Sequence, residues 1–350
     1  MSHCIGFDVH SKQTVACVYN PVDQSERYAV LPTDEKELAA FIQSQPGRPR
    51  LAFEVSGMAA RLYDALRPLV SDLKVANPSL TPWIYRTATK TDRLDAKKLA
   101  VLLSVQQLPT VHMPPPVIRE WRSLIQHRRR LIERRTQVKN RIRAILLNQG
   151  LRKEHAGGWW TRRNLVWIRS CVQQLPKALA RSVEDLLDQL DLYNLQVSRA
   201  TRQLNKDCPD KVGCALLKTI PGVGPRTAEA VLAYADDVRR FASSERFASY
   251  FGVTPRLDES AQCRRKGHIS KQGPSVVRWL IVEAAWRAIK KSPALQQFHQ
   301  RVMHGQKGRK KIATVAVARK LLVIMFAMLH TGEVYNESLV GKSDWLLRSR

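Results

Sequence analysis

The sequence predicts a mixed α/β domain first, then a long helical connector, then a mainly helical domain. Three observations carry this reading. Short β-rich apolar runs alternate with helical stretches only in the first third of the chain. Two stretches further on repeat apolar residues every seven positions. The last third is basic, helical in pattern and broken by glycine turns.

In the first third, residues 3–8, 14–19 and 27–31 are short strand-forming runs separated by turn residues such as Asn20, Pro21 and Asp23. They read as an antiparallel meander. Residues 34–42 have helical spacing, 50–55 read as a buried strand, 58–69 as a helix and 73–76 as a strand ending at Asn77 and Pro78. From Thr91 the run DRLDAKKLAVLL is helical in propensity and pattern. Three strands followed by helix, strand, helix, strand and helix is the order of an RNase H-like α/β domain, placed here at residues 1–110.

After the Pro-rich hinge at 112–116, residues 117–150 read as one long helix. Leu124, Leu131, Val138 and Ile145 recur every seven residues, with Trp121 and Ile142 on the adjoining seam and Arg128 and Arg135 interrupting it. Its other faces carry Arg119, Arg122, Arg129, Arg130, Arg134, Lys139, Arg141 and Arg143, a surface that either grips phosphates or is simply solvated. A linker containing Gly157, Gly158, Trp159 and Trp160 leads to a second heptad stretch at 178–204. Its rows are Val183, Leu190, Val197, Leu204 and Leu179, Leu186, Tyr193, Ala200. Two helices of matched period pair with each other or with a second copy, and periodicity leaves that choice open. The connector is placed at 117–208, the last domain at 209–335 and a tail without clear pattern at 336–350.

The chain has 350 residues, with 58 Lys plus Arg against 30 Asp plus Glu and a formal charge of +28. Residues 1–110 hold 13 basic and 11 acidic side chains, so nearly all of the excess lies beyond them. A near-neutral domain followed by a basic remainder suggests chemistry in one place and a polyanion grip in another. A 44% hydrophobic content excludes a disordered basic tail. Cys4, Cys17, Cys171, Cys208, Cys214 and Cys263 are scattered without a C-x-x-C pair, against zinc and a disulfide framework. No signal segment opens the chain and no run reaches about 18 uninterrupted apolar residues, so a cytoplasmic protein without a membrane partner is expected.

Four carboxylates are candidates for chemistry. Asp8 ends the first strand in IGFDVH, Glu54 ends a buried strand in LAFEVSG, and Asp92 and Asp95 sit three apart in KTDRLDAKK, on one side of a helix. Converging carboxylates repel unless divalent cations lie between them, and oxygen donors favour Mg2+ or Mn2+. Alternatively, Asp92 and Asp95 cap the helix and Asp8 is a turn residue. Further on, LLKTIPGVGPRTAEAVLAYA has the form of a helix-hairpin-helix. Gly222 and Gly224 make the turn between helices at 216–220 and 226–235, so that backbone N–H groups reach phosphates. The polar stretch after YFGVTPR holds Ser260 among Arg256, Arg264, Arg265, Lys266, His268 and Lys271, ending at a helix start near Ser275. Such a serine could attack a phosphodiester, or be a plain loop serine, and Ser270 in ISKQG is an equal candidate on composition. The basic turn GQKGRKK, 305–311, precedes an apolar core helix at 312–329.

The ordered set GFDVH, FEVSG, Asn77-Pro78, KTDRLDA, IPGVG, GVTPR and SKQG resembles the DEDD-type insertion-sequence transposases, the family of the Piv pilin-gene invertase and the bridge-RNA-guided recombinases. The resemblance implies a RuvC-like N-terminal domain, a coiled-coil connector and a transposase domain with a nucleophilic serine. It carries the family acids onto Asp8, Glu54, Asp92 and Asp95 and the serine onto Ser260, followed here by Ala261 where relatives usually have glycine. It also implies DNA as substrate, a homodimer or homotetramer, and in some members a structured guide RNA. A Holliday-junction-resolvase-like nuclease using only acids and metal, and a non-enzymatic nucleic-acid-binding protein, are the alternatives.

Overall fold

The computed structural model describes residues 3–77, 91–153, 156–260 and 263–340, and of 257–260, 263–266 and 339 the backbone alone. Ala261 and residues 341–350 of the tail lie outside them. The chain divides into two compact units, Met1–Pro114 and Pro115–Arg350.

The first unit is a six-stranded sheet in the order β3-β2-β1-β4-β5-β6. The strands are β1 (Cys4–Val9), β2 (Gln13–Tyr19), β3 (Glu26–Pro32), β4 (Arg50–Glu54), β5 (Asp72–Ala76) and β6 (Thr110–Val111). The first three form the antiparallel meander read from the sequence, β4 and β5 join β1 in parallel, and β6, which the sequence pattern did not show, adds an antiparallel edge. Helices α1 (Glu35–Gln43) and α2 (Ala59–Leu66) cover one face, where Ile5, Phe7, Leu51 and Phe53 meet Leu38, Ile42, Leu62 and Leu66. Helix α3 (Asp92–Ser104) covers the other face. There Cys4 and Ala52 meet Leu99 and Leu103, while Val15 and Cys17 meet Ala96 and Ala100.

Gly6 sets the distance between strand and helix. A Cβ built there would lie 2.0 Å from the Ala96 carbonyl oxygen and 2.8 Å from the Ala100 nitrogen, so only glycine lets α3 rest on the β1 backbone. Lys97 Nζ, 2.9 Å from Glu26 Oε2, and the Arg93 guanidinium over the Tyr28 ring tie α3 to β3.

In the second unit the long helix α4 (Pro116–Asn148) runs antiparallel to α6 (Lys177–Lys206). Leu131 meets Val197 and Ala200, while Val138, Ile142 and Leu146 meet Val183, Leu186 and Leu190. The two heptad stretches therefore pair within the chain. Arg128 and Arg135, which break the apolar seam, donate across it to Thr201 Oγ1 at 2.8 Å and Asn194 Oδ1 at 3.3 Å. The stretch expected to be a linker contains a helix instead, α5 (Arg162–Cys171), capped by Thr161. Trp167, Ile168 and Cys171 bury against the ends of α4 and α6, with Trp159 edge-on to Trp167 at 5.8 Å. Its apolar i, i+3, i+4 spacing is short and was masked by flanking glycines.

The ends of α4 and α6 opposite α5 enter a helical core through Trp121, Ile125 and Leu204. That core holds α7 (Lys211–Leu217), α8 (Pro225–Ala235), α9 (Ser244–Tyr250), α10 (Ser275–Lys291), α11 (Pro293–Met303) and α12 (Lys310–Thr331). The first helix of the glycine-turn element is thus 211–217 and not 216–220, because Asp210 caps it by accepting from the Gly213 N–H at 2.7 Å. The helical stretch Lys307–Thr331, which includes α12, is long and apolar enough to cross a membrane, with a mean hydropathy of 2.1 over an 18-residue window, but Leu321, Leu322 and Met325 at its middle are fully buried in this core. The stretch after GVTPR, expected as a loop, is a two-stranded antiparallel ribbon, β7 (Pro255–Ser260) with β8 (Cys263–Ile269). Charged residues on both strands hid it from an apolar-alternation pattern.

Candidate active site at the end of the sheet

Strand alternation decides where the acids point. Cys4 and Gly6 face α3, and so does Asp8, two residues further along β1; on β4 Ala52 faces α3, and so does Glu54. The strands are parallel with Phe7 opposite Phe53, so Asp8 and Glu54 are the next pair in register, at the C-terminal edge of the sheet. Thr91 caps α3, its Oγ1 accepting from the Leu94 N–H at 3.3 Å, which relieves Asp92 and Asp95 of the capping role and leaves both in the first turn.

The first turn of α3 thereby lies over the end of β1. His10 Nε2 stands 3.2 Å from Asp8 Oδ2 and 3.6 Å from Asp92 Oδ1. One ligand atom from each of Asp8, His10 and Asp92 falls within 4.8 Å of the others. Neither Glu54 nor Asp95 belongs to that tight group. Asp95 is nevertheless near enough for its charge to act on Asp8. Burial holds the Asp8 carboxyl above its ordinary range; His10 works against this, while Asp92 and Asp95 add to it. Asp95 itself is 5% exposed, and its Oδ1 accepts no hydrogen bond among the described residues, with Lys98 Nζ 3.7 Å away. A buried carboxylate oxygen without a donor, beside an oxygen-rich group, is what a hard divalent cation would satisfy. The residues present therefore fit a Mg2+ or Mn2+ site.

His10 is the member that sequence patterns left out. It lies one residue past the end of β1, where the chain turns toward β2 and its N–H donates to the Gln13 carbonyl at 3.0 Å, so strand alternation did not mark it.

In the second unit, Ser260 ends β7 opposite Cys263, and Arg264, Arg265 and Lys266 occupy register positions opposite Glu259, Asp258 and Leu257. The side chains of these residues and Ala261 lie outside the described ones. Arg256 is exposed and donates to the Ser270 carbonyl at 3.4 Å. Ser270 is held by its own N–H to the Thr254 carbonyl at 2.9 Å, and its buried hydroxyl has no partner among the described residues. Lys271 adopts φ 55° at the foot of the ribbon, where Gly252 and Gly273 let the backbones of 250–252 and 272–273 touch. Gly222, at φ 89°, packs on the α10 backbone, where a Cβ would meet the Ala288 nitrogen at 2.5 Å. Gly224 has open space at its Cβ position and precedes Pro225 at the start of α8. Packing thus accounts for Gly222, and the freer approach is at Gly224.

A meander joined to parallel strands, with carboxylates at the strand ends and on the covering helix, defines an RNase H-like domain of the DEDD class. Two comparisons with known proteins agree. The DEDD transposase model of IS110 elements matches residues 5–149, and the model described as "Transposase IS116/IS110/IS902 family" matches residues 214–300. The chain belongs to the IS110/IS1111 family of DEDD transposases, enzymes that cleave DNA and transfer its strands. It is 25% identical to a probable family 20 transposase of Pseudomonas aeruginosa, over 81% of this chain and 85% of that one. It is 26% identical to the transposase of insertion sequence element IS1111A of Coxiella burnetii, over 72% and 70%. A pilin gene-inverting protein of Moraxella lacunata is 30% identical over 45% of this chain and 48% of its own length.

Proposed function

We propose that this transposase moves its own element with two sets of residues, the carboxylates Asp8, Glu54, Asp92 and Asp95 and the hydroxyl of Ser260. The observation that carries the reading is the gathering of Asp8 and Asp92 at one sheet end, with the buried Asp95 carboxylate acting on Asp8 from the same first turn of α3. A bound Mg2+ or Mn2+ would neutralise these acids and polarise phosphate oxygens. Asp8 and Asp92 would hold it from the solvent side, Asp95 from the buried side and Glu54 from the neighbouring strand. The Ser260 oxygen bonds to phosphorus and gives up its proton as a backbone P–O bond breaks and the departing DNA oxygen takes up a proton, and the ester conserves energy so that a DNA hydroxyl can reverse the step without ATP. Arg256, Arg264, Arg265, Lys266 and Lys271 along the ribbon would balance phosphate charge, and the helix-hairpin-helix turn at Gly222 and Gly224 would approach the backbone. The α4–α6 pair serves as the coiled-coil connector, basic along its outer faces.

The enzyme would act in the cytoplasm as a homodimer or homotetramer on element ends and target DNA. A structured guide RNA, transcribed from the element, would occupy part of the basic surface of 115–350. Asp8→Asn or Asp95→Asn should abolish strand cleavage in Mg2+ while thermal stability stays nearly intact; full activity in either variant overturns the acid assignment. A nicked suicide substrate should leave a denaturation-resistant protein–DNA adduct that Ser260→Ala removes. An adduct lost only in Ser270→Ala moves the role to Ser270, and hydrolysed ends without any adduct point to metal-only cleavage.

A further inference from the structure

The tight group at the sheet end is not made of acids alone. His10 sits between Asp8 and Asp92, its Nε2 at 3.2 Å and 3.6 Å from one oxygen of each. It is half exposed, so no core packing requires an imidazole there, and its backbone is held just past the end of β1 by its N–H donating to the Gln13 carbonyl at 3.0 Å. The three donor atoms lie close enough together to share one ion. Asp95 adds a further, buried carboxylate on the same helix turn, whose Oδ1 accepts no hydrogen bond among the described residues and has Lys98 Nζ 3.7 Å away.

We propose that His10 is itself a metal ligand, so that one cation is held by a nitrogen from His10 together with oxygens from Asp8 and Asp92. The inference rests on the metal reading above and narrows it. An all-oxygen site suits Mg2+ and Ca2+, whereas an imidazole brings a borderline donor that Mg2+ accepts poorly and that first-row transition ions accept well. The site is therefore biased toward Mn2+ over Mg2+. A histidine that only neutralised the two carboxylates as a cation would be expelled by the ion or would compete with it; a ligand stays and binds through its neutral nitrogen.

The test is pulsed electron paramagnetic resonance on the full-length protein loaded with one equivalent of Mn2+. Wild type should show nitrogen modulation of the Mn2+ echo. The modulation should change to the 15N pattern when the protein is made with 15N-histidine, and vanish in His10→Gln. Titration should show Mn2+ affinity falling at least about tenfold in His10→Gln, since losing even a supporting partner of a ligand costs about 10- to 100-fold. The affinity for Mg2+, read by competition, should fall less than threefold. Mn2+ bound in an Asp8-dependent manner without nitrogen modulation, or modulation that persists in His10→Gln, overturns the role of His10 and leaves the acid site standing. Failure of wild type to bind Mn2+ more tightly than Asp8→Asn overturns both. The isotope pattern identifies a histidine but not which of the nine, so His10→Asn and thermal unfolding of both variants distinguish a lost ligand from a lost fold.

Discussion

Glu229 illustrates how a single buried acid sets a pH dependence. It lies on α8, 4% exposed, with Oε1 2.6 Å from the Arg226 guanidinium and Oε2 without a hydrogen-bond partner among the described residues. Burial pushes its carboxyl up to about 7 from 4.5, outweighing the opposing pull of Arg226, Arg128 and Lys218. A carboxyl raised on folding contributes stability that is fully present below the unfolded value and is lost as pH rises through the folded one. Wild type should therefore lose stability relative to Glu229→Gln between about pH 4.5 and 7, by on the order of 1–3 kcal/mol, read from urea unfolding at pH 5 and pH 8. A difference independent of pH would mean that Arg226 keeps the group ionised throughout. Nothing in the run TAEAVLAYA marks Glu229 as special, since helical spacing puts an acid on any face; only the packing of Arg128 and Arg226 beside it does.

At the scale of elements, the contact between β1 and α3 governs the acids. Gly6→Ala should push α3 off the strand and cost about 1–3 kcal/mol, as overpacked cores do. Because the first turn of that helix carries Asp92 and Asp95, strand cleavage should fall much further than the stability loss explains, while unfolding stays cooperative. Retained cleavage at wild-type rates would show that helix placement does not set the acid geometry. The strands and helices of residues 3–76 were legible because short continuous apolar runs bounded by turn residues, as in Cys4–Val9, give way to helical spacing, as in Glu35–Gln43. The ribbon Pro255–Ile269 was not, since cations at Arg264, Arg265 and Lys266 replace the apolar face that marks a strand. Helix α5 was obscured by its brevity, and the choice between self-pairing and partner pairing of α4 and α6 lies in cross-chain polar contacts such as Arg128 with Thr201, which no heptad count contains.

At the scale of the whole molecule, charge was the most readable property: the acids belong to a unit of almost balanced charge, and the cations crowd the other. What composition could not show is that Arg122, Arg128 and Arg135 are spent on internal bonds, to the Ala233 carbonyl, Thr201 and Asn194, so the cation count overstates the surface available to a polyanion. The α4–α6 arm adds a ruler to that surface. Its 33-residue helix rises 1.5 Å per residue and so extends about 50 Å. At 3.4 Å per base pair this is the length of roughly fifteen pairs, or one and a half turns of duplex. A double helix laid along the arm would present each groove to it at least once, so a protected footprint in steps of a helical turn is the mark such an arm would leave.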